Sequence, residues 1–147
     1  MIYLDGSALV RFLPGVRYYD EWIAWVVPRL SDVATTQLGL TELRQAAELF
    51  PRETKARAFE IVEQVKSRIP AIRFSDENVS VSTHAASVLK PFAALHVGAA
   101  VTHPDIDTIA TYDAELARVA VLYQLKVVTP GMPEGWQDGV PAVRPGA

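Results

Sequence analysis

The sequence predicts an α/β fold, a short and mainly parallel sheet with helices on both faces. Three observations lead there. Short apolar runs alternate along the chain with segments of helical spacing of about 10–15 residues, the signature of parallel strands joined by crossover helices. Every apolar run is short, so the sheet is small. The chain has 147 residues, half of them hydrophobic (50%) and 21% charged, the size and balance of one globular domain with a real core.

The elements follow in order. Residues 1–5, the run Met1-Ile2-Tyr3-Leu4 closed by Asp5, read as a buried first strand. Ser7 is a candidate N-cap for a helix over Ala8–Leu13 that Pro14-Gly15 stops. Tyr19, Trp22, Ile23, Val26 and Val27 recur at helical spacing before Pro28. Val33–Thr36 reads as a second strand, followed by a helix from Gly39 to Leu49. Pro51 opens a helix running to about Ser67 on Ala58, Ile61, Val62 and Val65. Ala71–Phe74 is a third strand, and Ser75 or Asp76 can cap the next helix. Pro91 restarts it, and the run from Phe92 to Val101 is apolar nearly all round, which predicts deep burial. Asp107–Ala110 is a fourth strand, Ala114–Gln124 a helix, and Lys126–Val128 a fifth strand closed by Pro130. From Gly131 the composition turns to Gly, Pro and polar residues, so the domain is expected over residues 1–130 and a loose tail, pinned by Trp136, over 131–147.

Composition excludes several classes of function. There is no cysteine, so disulfides and thiolate metal sites are ruled out. Three histidines make a zinc site improbable. No apolar run approaches the ~20 residues of a membrane span, and no basic leader precedes the first strand, so a cytoplasmic protein is expected. The net charge of −3 gives no strong basic field, though it leaves a nucleic-acid substrate open.

The chemistry centres on three acids: Asp5 after the first strand, Glu42 after the second, and Asp113 after the fourth. Two carboxylates about 4 Å apart repel by about 1 kcal/mol in water and about 4 kcal/mol at an effective dielectric of 20, so clustering them gains nothing unless a cation binds. Mg²⁺ and Mn²⁺ take such oxygen ligands and activate water or offset phosphate charge. Each acid also has an ordinary reading. Asp5 and Asp113 can cap helices, and Glu42 can be a solvated helical residue.

A resemblance adds to this. Asp5-Gly6-Ser7-Ala8-Leu9 resembles the opening "D-x-S-A-L" of PIN-domain proteins, above all the VapC toxins of toxin–antitoxin pairs. Thr41-Glu42-Leu43 resembles their second acidic motif. Ala94-Leu95-His96-Val97-Gly98-Ala99-Ala100 is similar to their "D-A-L-H-L-A-A" helix, and Thr111-Tyr112-Asp113 to their "T-Y-D-x-x-L". Lys126–Pro130 resembles the closing strand. The order and intervals agree over about residues 1–130. The resemblance implies a three-layer α/β/α PIN fold and a Mg²⁺- or Mn²⁺-dependent endoribonuclease blocked by a cognate antitoxin and assembled as a homodimer. It puts Asp5, Glu42 and Asp113 on the metal-binding, catalytic acids and Ser7 and Thr111 on supporting positions.

Two departures stand out. Gly6 replaces the family's common Thr, a change expected to be minor. Ala93 occupies the position of the third acid, which predicts weakened metal binding. Either this is a natural variant of low activity or the acid was deliberately replaced, and the intact flanking motif favours the second. Asp105 and Asp107 do not match the motif. His96 is expected to be a buried, hydrogen-bonded histidine rather than a base. Arg11, Arg44, Lys90 and Arg118 are candidates for holding RNA phosphates, and the helix of Tyr19, Trp22 and Trp25 is a candidate partner surface. The alternatives are an inactive PIN-like binding partner and a flavodoxin-like receiver or ligand-binding domain.

Overall fold

A computed structural model describes residues 1–138. Its strands are β1 (Ile2–Leu4), β2 (Val33–Thr36), β3 (Ala71–Ile72), β4 (Thr108–Ala110) and β5 (Lys126–Val128). All pair in parallel, in the order β3-β2-β1-β4-β5. The helices are α1 (Gly6–Leu9), α2 (Tyr19–Val26), α3 (Gln37–Glu48), α4 (Arg52–Arg68), α5 (Asp76–Ala85), α6 (Pro91–Thr102) and α7 (Ala114–Leu122).

Strand alternation divides the helices into two layers. Leu4 and Ala110 face a core built with α1 to α4, around Leu9, Trp22, Leu43 and Val62. Their neighbours Tyr3 and Ile109 face the opposite core, made with α5 to α7 around Val97, Leu116 and Ala120. The register pairs Tyr3 with Ile109 and Leu4 with Ala110, so side chains of one face stay together across β1 and β4. This is the expected α/β sheet with helices on both faces.

The order of strands decides where a site can form. From β1 the chain moves through β2 to β3 on one side, and β4 and β5 lie on the other. The direction reverses between β1 and β4, and in open parallel sheets ligands bind at the carboxyl ends of strands beside such a reversal. The flavodoxin order, 2-1-3-4-5, is different, so the receiver-like alternative is set aside.

Several boundaries differ from expectation. Asp5 rather than Ser7 caps α1, because its Oδ1 accepts from the Ala8 amide at 2.8 Å. The helix that follows is a four-residue turn extended by a 3-10 turn over Val10–Phe12. The third strand ends at Ile72, before the two exposed residues Arg73 and Phe74. Ser75 does cap α5, with Asn78 returning the bond. The apolar run of α6 is buried over Val97–Ala100, but Phe92 is 57% exposed. Trp22 belongs to the core, edge-on to Phe12, and is no surface anchor. Beyond Pro130, the chain packs back on α7 through a 3-10 turn at Trp136–Asp138, and Trp136 Nε1 donates to Thr129 Oγ1 at 2.9 Å. Trp136 thus ties residues 131–138 to the domain, and the rest of the expected tail lies outside the described residues. Among the described residues no helix is long and apolar enough to cross a membrane.

The α5–α6 contact depends on a missing side chain. A Cβ at Gly98 would overlap Ser82 Oγ and the Asn78 carbonyl, and the backbone carbonyl cannot swing away as a side chain can. Gly98→Ala is expected to lower stability by about 1–3 kcal/mol, the usual cost of overpacking. Urea unfolding of the two proteins measures it.

Candidate functional site

Asp5 sits at the carboxyl end of β1, joined to β4 by its amide, which donates to Ala110 O at 3.3 Å. Its side chain is 2% exposed. Oδ1 accepts from Ser7 Oγ at 2.7 Å and from the Ala8 amide at 2.8 Å, and Oδ2 accepts from the Thr111 hydroxyl. Burial pushes the Asp5 carboxyl above its ordinary range, opposed by the neighbouring His96 and by the donors on Thr111, Ser7 and Ala8.

Thr111 links this acid to the next. Its Oγ1 also accepts from the Asp113 amide at 3.0 Å. Asp113 caps α7, with Oδ1 accepting from the Glu115 and Leu116 amides at 3.0 and 3.1 Å. Ser7 completes the link by accepting from the Tyr112 amide at 2.8 Å. The cap of α7 engages Asp113 through Oδ1, whereas both oxygens of Asp5 carry hydrogen bonds.

Glu42 enters from α3, whose N-cap is Thr36. Its Oε1 bonds to Nε2 of His96, and His96 is 2% exposed. A Cβ on Gly6 would collide with the Glu42 side chain from its Cβ to its carboxylate. Gly6 is therefore no minor change. Any side chain there would force Glu42 out of its present position.

A cleft of about 700 Å³ opens above these groups. Glu42, Ala93 and Asp113 line it together with Lys90, Phe92 and Glu115. Ala93 therefore shares a cleft with two of the acids. Asp5 is not on the cleft wall. It is tied to Asp113 through Thr111.

Of the four basic candidates, Lys90 alone lines this cleft. Arg11 is spent on the carbonyls of Ser7 and Arg17 and on the face of Tyr112. Arg44 lies over Phe59, and Arg118 donates to the Gln137 carbonyl.

The donors suit a hard divalent cation, because every acid offers carboxylate oxygen. The arrangement is an open one. Among the described residues no three His, Cys, Asp or Glu side chains gather closely enough to hold a metal ion. With Ala at position 93 and Glu42 turned to His96, a cation here would depend on few protein oxygens and on water, a mode Mg²⁺ tolerates.

No protein-family model matches the chain, and no curated protein matches it either. Solved structures do. The crystal structure of FitAcB from Neisseria gonorrhoeae superposes with a TM-score of 0.65 at 21% identity, covering 86% of this chain and 96% of that one. FitAB bound to an IR36 DNA fragment gives 0.68 at 20% identity, covering 91% and 98%. VapBC2 from Rickettsia felis, bound to a DNA fragment from their promoter, gives 0.67 at 15% identity, covering 88% and 99%. The chain has a PIN-domain fold.

Within this PIN fold the expected site residues fall at one end of the sheet: Asp5, Ser7 and Thr111 in one hydrogen-bonded knot, with Asp113 attached to it. Sequence reading placed these, and placed His96 as a buried, bonded residue. It missed that the partner of His96 is Glu42 and that Gly6 makes room for that pairing. The signal available was the glycine itself, directly after a strand-end acid.

The Asp5 environment has a pH signature. Its folded-state value is raised, so the folded metal-free protein holds this proton more tightly than the unfolded chain. The stability contributed is full below the ordinary value of 3.8 and is lost as pH rises through the raised value. Asp5→Asn, whose side-chain oxygen can still accept from Ser7 and the Ala8 amide, is expected to flatten this decline. Thermal melts of both metal-free proteins from pH 3.8 upward give the comparison.

Proposed function

We propose that this chain is a divalent-metal-dependent endoribonuclease toxin of a toxin–antitoxin pair, impaired by Ala93. The supporting observation is that Glu42, Ala93 and Asp113 line one cleft at the strand-order reversal of a PIN fold, with Asp5 linked to Asp113 through Thr111. A bound Mg²⁺ or Mn²⁺ would offset phosphate charge and lower the pKa of a coordinated water. The chain's own contributions are separate. Glu42 and Asp113 present carboxylate oxygen to the cleft, while Asp5 is held rigid by Ser7, Ala8 and Thr111. Lys90 offers a cation at the cleft rim for an RNA phosphate.

FitAB and VapBC2 are toxin–antitoxin complexes, which supports a cognate antitoxin as this chain's partner. A homodimer and a cytoplasmic site of action belong to the same reading. A second reading, a PIN-like binding partner without catalysis, is favoured by the same Ala93.

Restoring the acid separates the two. Ala93→Asp is expected to tighten Mn²⁺ binding more than tenfold, by titration calorimetry. It should also lower the metal-free Tm by about 3 °C or more through carboxylate repulsion. RNA cleavage should rise with affinity under the nuclease reading. Equal Mn²⁺ affinities, or tight binding without any cleavage, would favour the binding partner.

A further inference from the structure

A chain of buried hydrogen bonds runs through the sheet and ends on Glu42. Thr36 Oγ1 and Tyr3 Oη lie 3.0 Å apart, Tyr3 Oη and His96 Nδ1 2.6 Å apart, and His96 Nε2 meets Glu42 Oε1. Thr36 and Tyr3 are fully buried, and His96 nearly so. The direction of the chain can be worked out from its first member. Thr36 Oγ1 already accepts from the Gly39 amide at 3.3 Å. Its own proton has one acceptor among the described residues, Tyr3 Oη. Tyr3 must then donate onward to His96 Nδ1, which leaves the imidazole proton on Nε2, aimed at Glu42. The opposite direction strands the Thr36 hydroxyl proton in a fully buried position, which proteins avoid. Burial also pushes the Tyr3 phenol well above its ordinary range, so its proton stays in place.

We propose that Thr36, Tyr3 and His96 form a one-way hydrogen-bond relay that fixes His96 with its proton on Nε2 and makes it the positioning residue for Glu42. This rests on Glu42 being an acid of the proposed site. The relay commits Oε1 and leaves Oε2 for a ligand in the cleft. It also explains why α6 contributes to the site without an acid at position 93. Three residues later, one turn along the same helix, α6 supplies a donor that holds the acid of α3. Gly6 is the opening that lets the two meet.

The test uses the metal-free full chain. Long-range ¹H–¹⁵N correlation NMR assigns the His96 tautomer, and the Glu42 ¹³Cδ shift reports the bond. The expected result is a proton on Nε2 and none on Nδ1. Tyr3→Phe removes the donor to Nδ1. It should admit the other tautomer and move the Glu42 ¹³Cδ shift. His96→Leu should move that shift further, and His96→Gln, whose amide can still donate, should restore most of it. A wild-type proton on Nδ1, or a Glu42 shift indifferent to both Tyr3→Phe and His96→Leu, overturns the relay. If His96→Leu does not fold, Tyr3→Phe and His96→Gln carry the comparison. A parallel Mn²⁺ titration is expected to show His96→Leu about tenfold weaker and His96→Gln within about threefold of wild type. Failure of wild type to bind Mn²⁺ would count against the nuclease reading alone, because the NMR result is obtained without metal.

Discussion

The anchoring of the Asp5 carboxylate is the constraint on which the rest of the site depends. A carboxylate at 2% exposure is costly unless its lone pairs are occupied. Here three donors occupy them, and each comes from a different part of the local structure: Ser7 in α1, the Ala8 amide at the start of that helix, and Thr111 after β4. Satisfying one buried anion therefore fixes the first turn of α1 and sets the loop after β4 against β1. Asp113 inherits its place from the same knot, since its amide donates to Thr111 while its carboxylate caps α7. Two of the three acids are thus positioned by one hydrogen-bond network before any ligand is considered.

The third acid is held differently. Glu42 projects from the middle of α3, where a side chain has several rotamers and no cap to define it. Its partner is His96, on the other side of the sheet, reached because Gly6 leaves space beside the end of β1. The two departures from the family pattern are physically linked. An acid at position 93 would bring another negative charge to the cleft wall that Glu42 lines, and a Thr at position 6 would occupy the volume that Glu42 now fills. With Ala and Gly in those places, Glu42 can turn toward His96 without repulsion or collision.

Much of the fold was legible because its signals are local. The expected bounds of β2 and β5 matched the observed ones, since short runs rich in β-branched residues between turn signals mark strands. Pro51, Ser75 and Pro91 marked helix starts through fixed backbone angles and side-chain caps. The misreadings were of two kinds. Ser7 and Asp5 are both good N-caps, and which one acts depends on β1 ending one residue earlier than a pattern can show. The pairing of Glu42 with His96 joins positions 54 residues apart across two layers, and no periodicity encodes it. Arg11 and Arg118 were read from proximity along the chain to acidic motifs. Tertiary packing instead turned their guanidinium groups to carbonyls.

This contrast decides what each acid needs to stay in place. The knot around Asp5 uses neutral donors throughout and needs no cation to hold it. Glu42 is the one acid not tied into the knot. An imidazole donor one turn beyond Ala93 gives that acid a defined place. The cleft presents two carboxylates on walls that neutral hydrogen bonds and one imidazole hold in place. A cation is attracted by charge and seated by geometry, and here the geometry is set without one. Under the proposed nuclease reading, a carboxylate at position 93 would add charge to walls already in place, so it tests affinity without asking the fold to change.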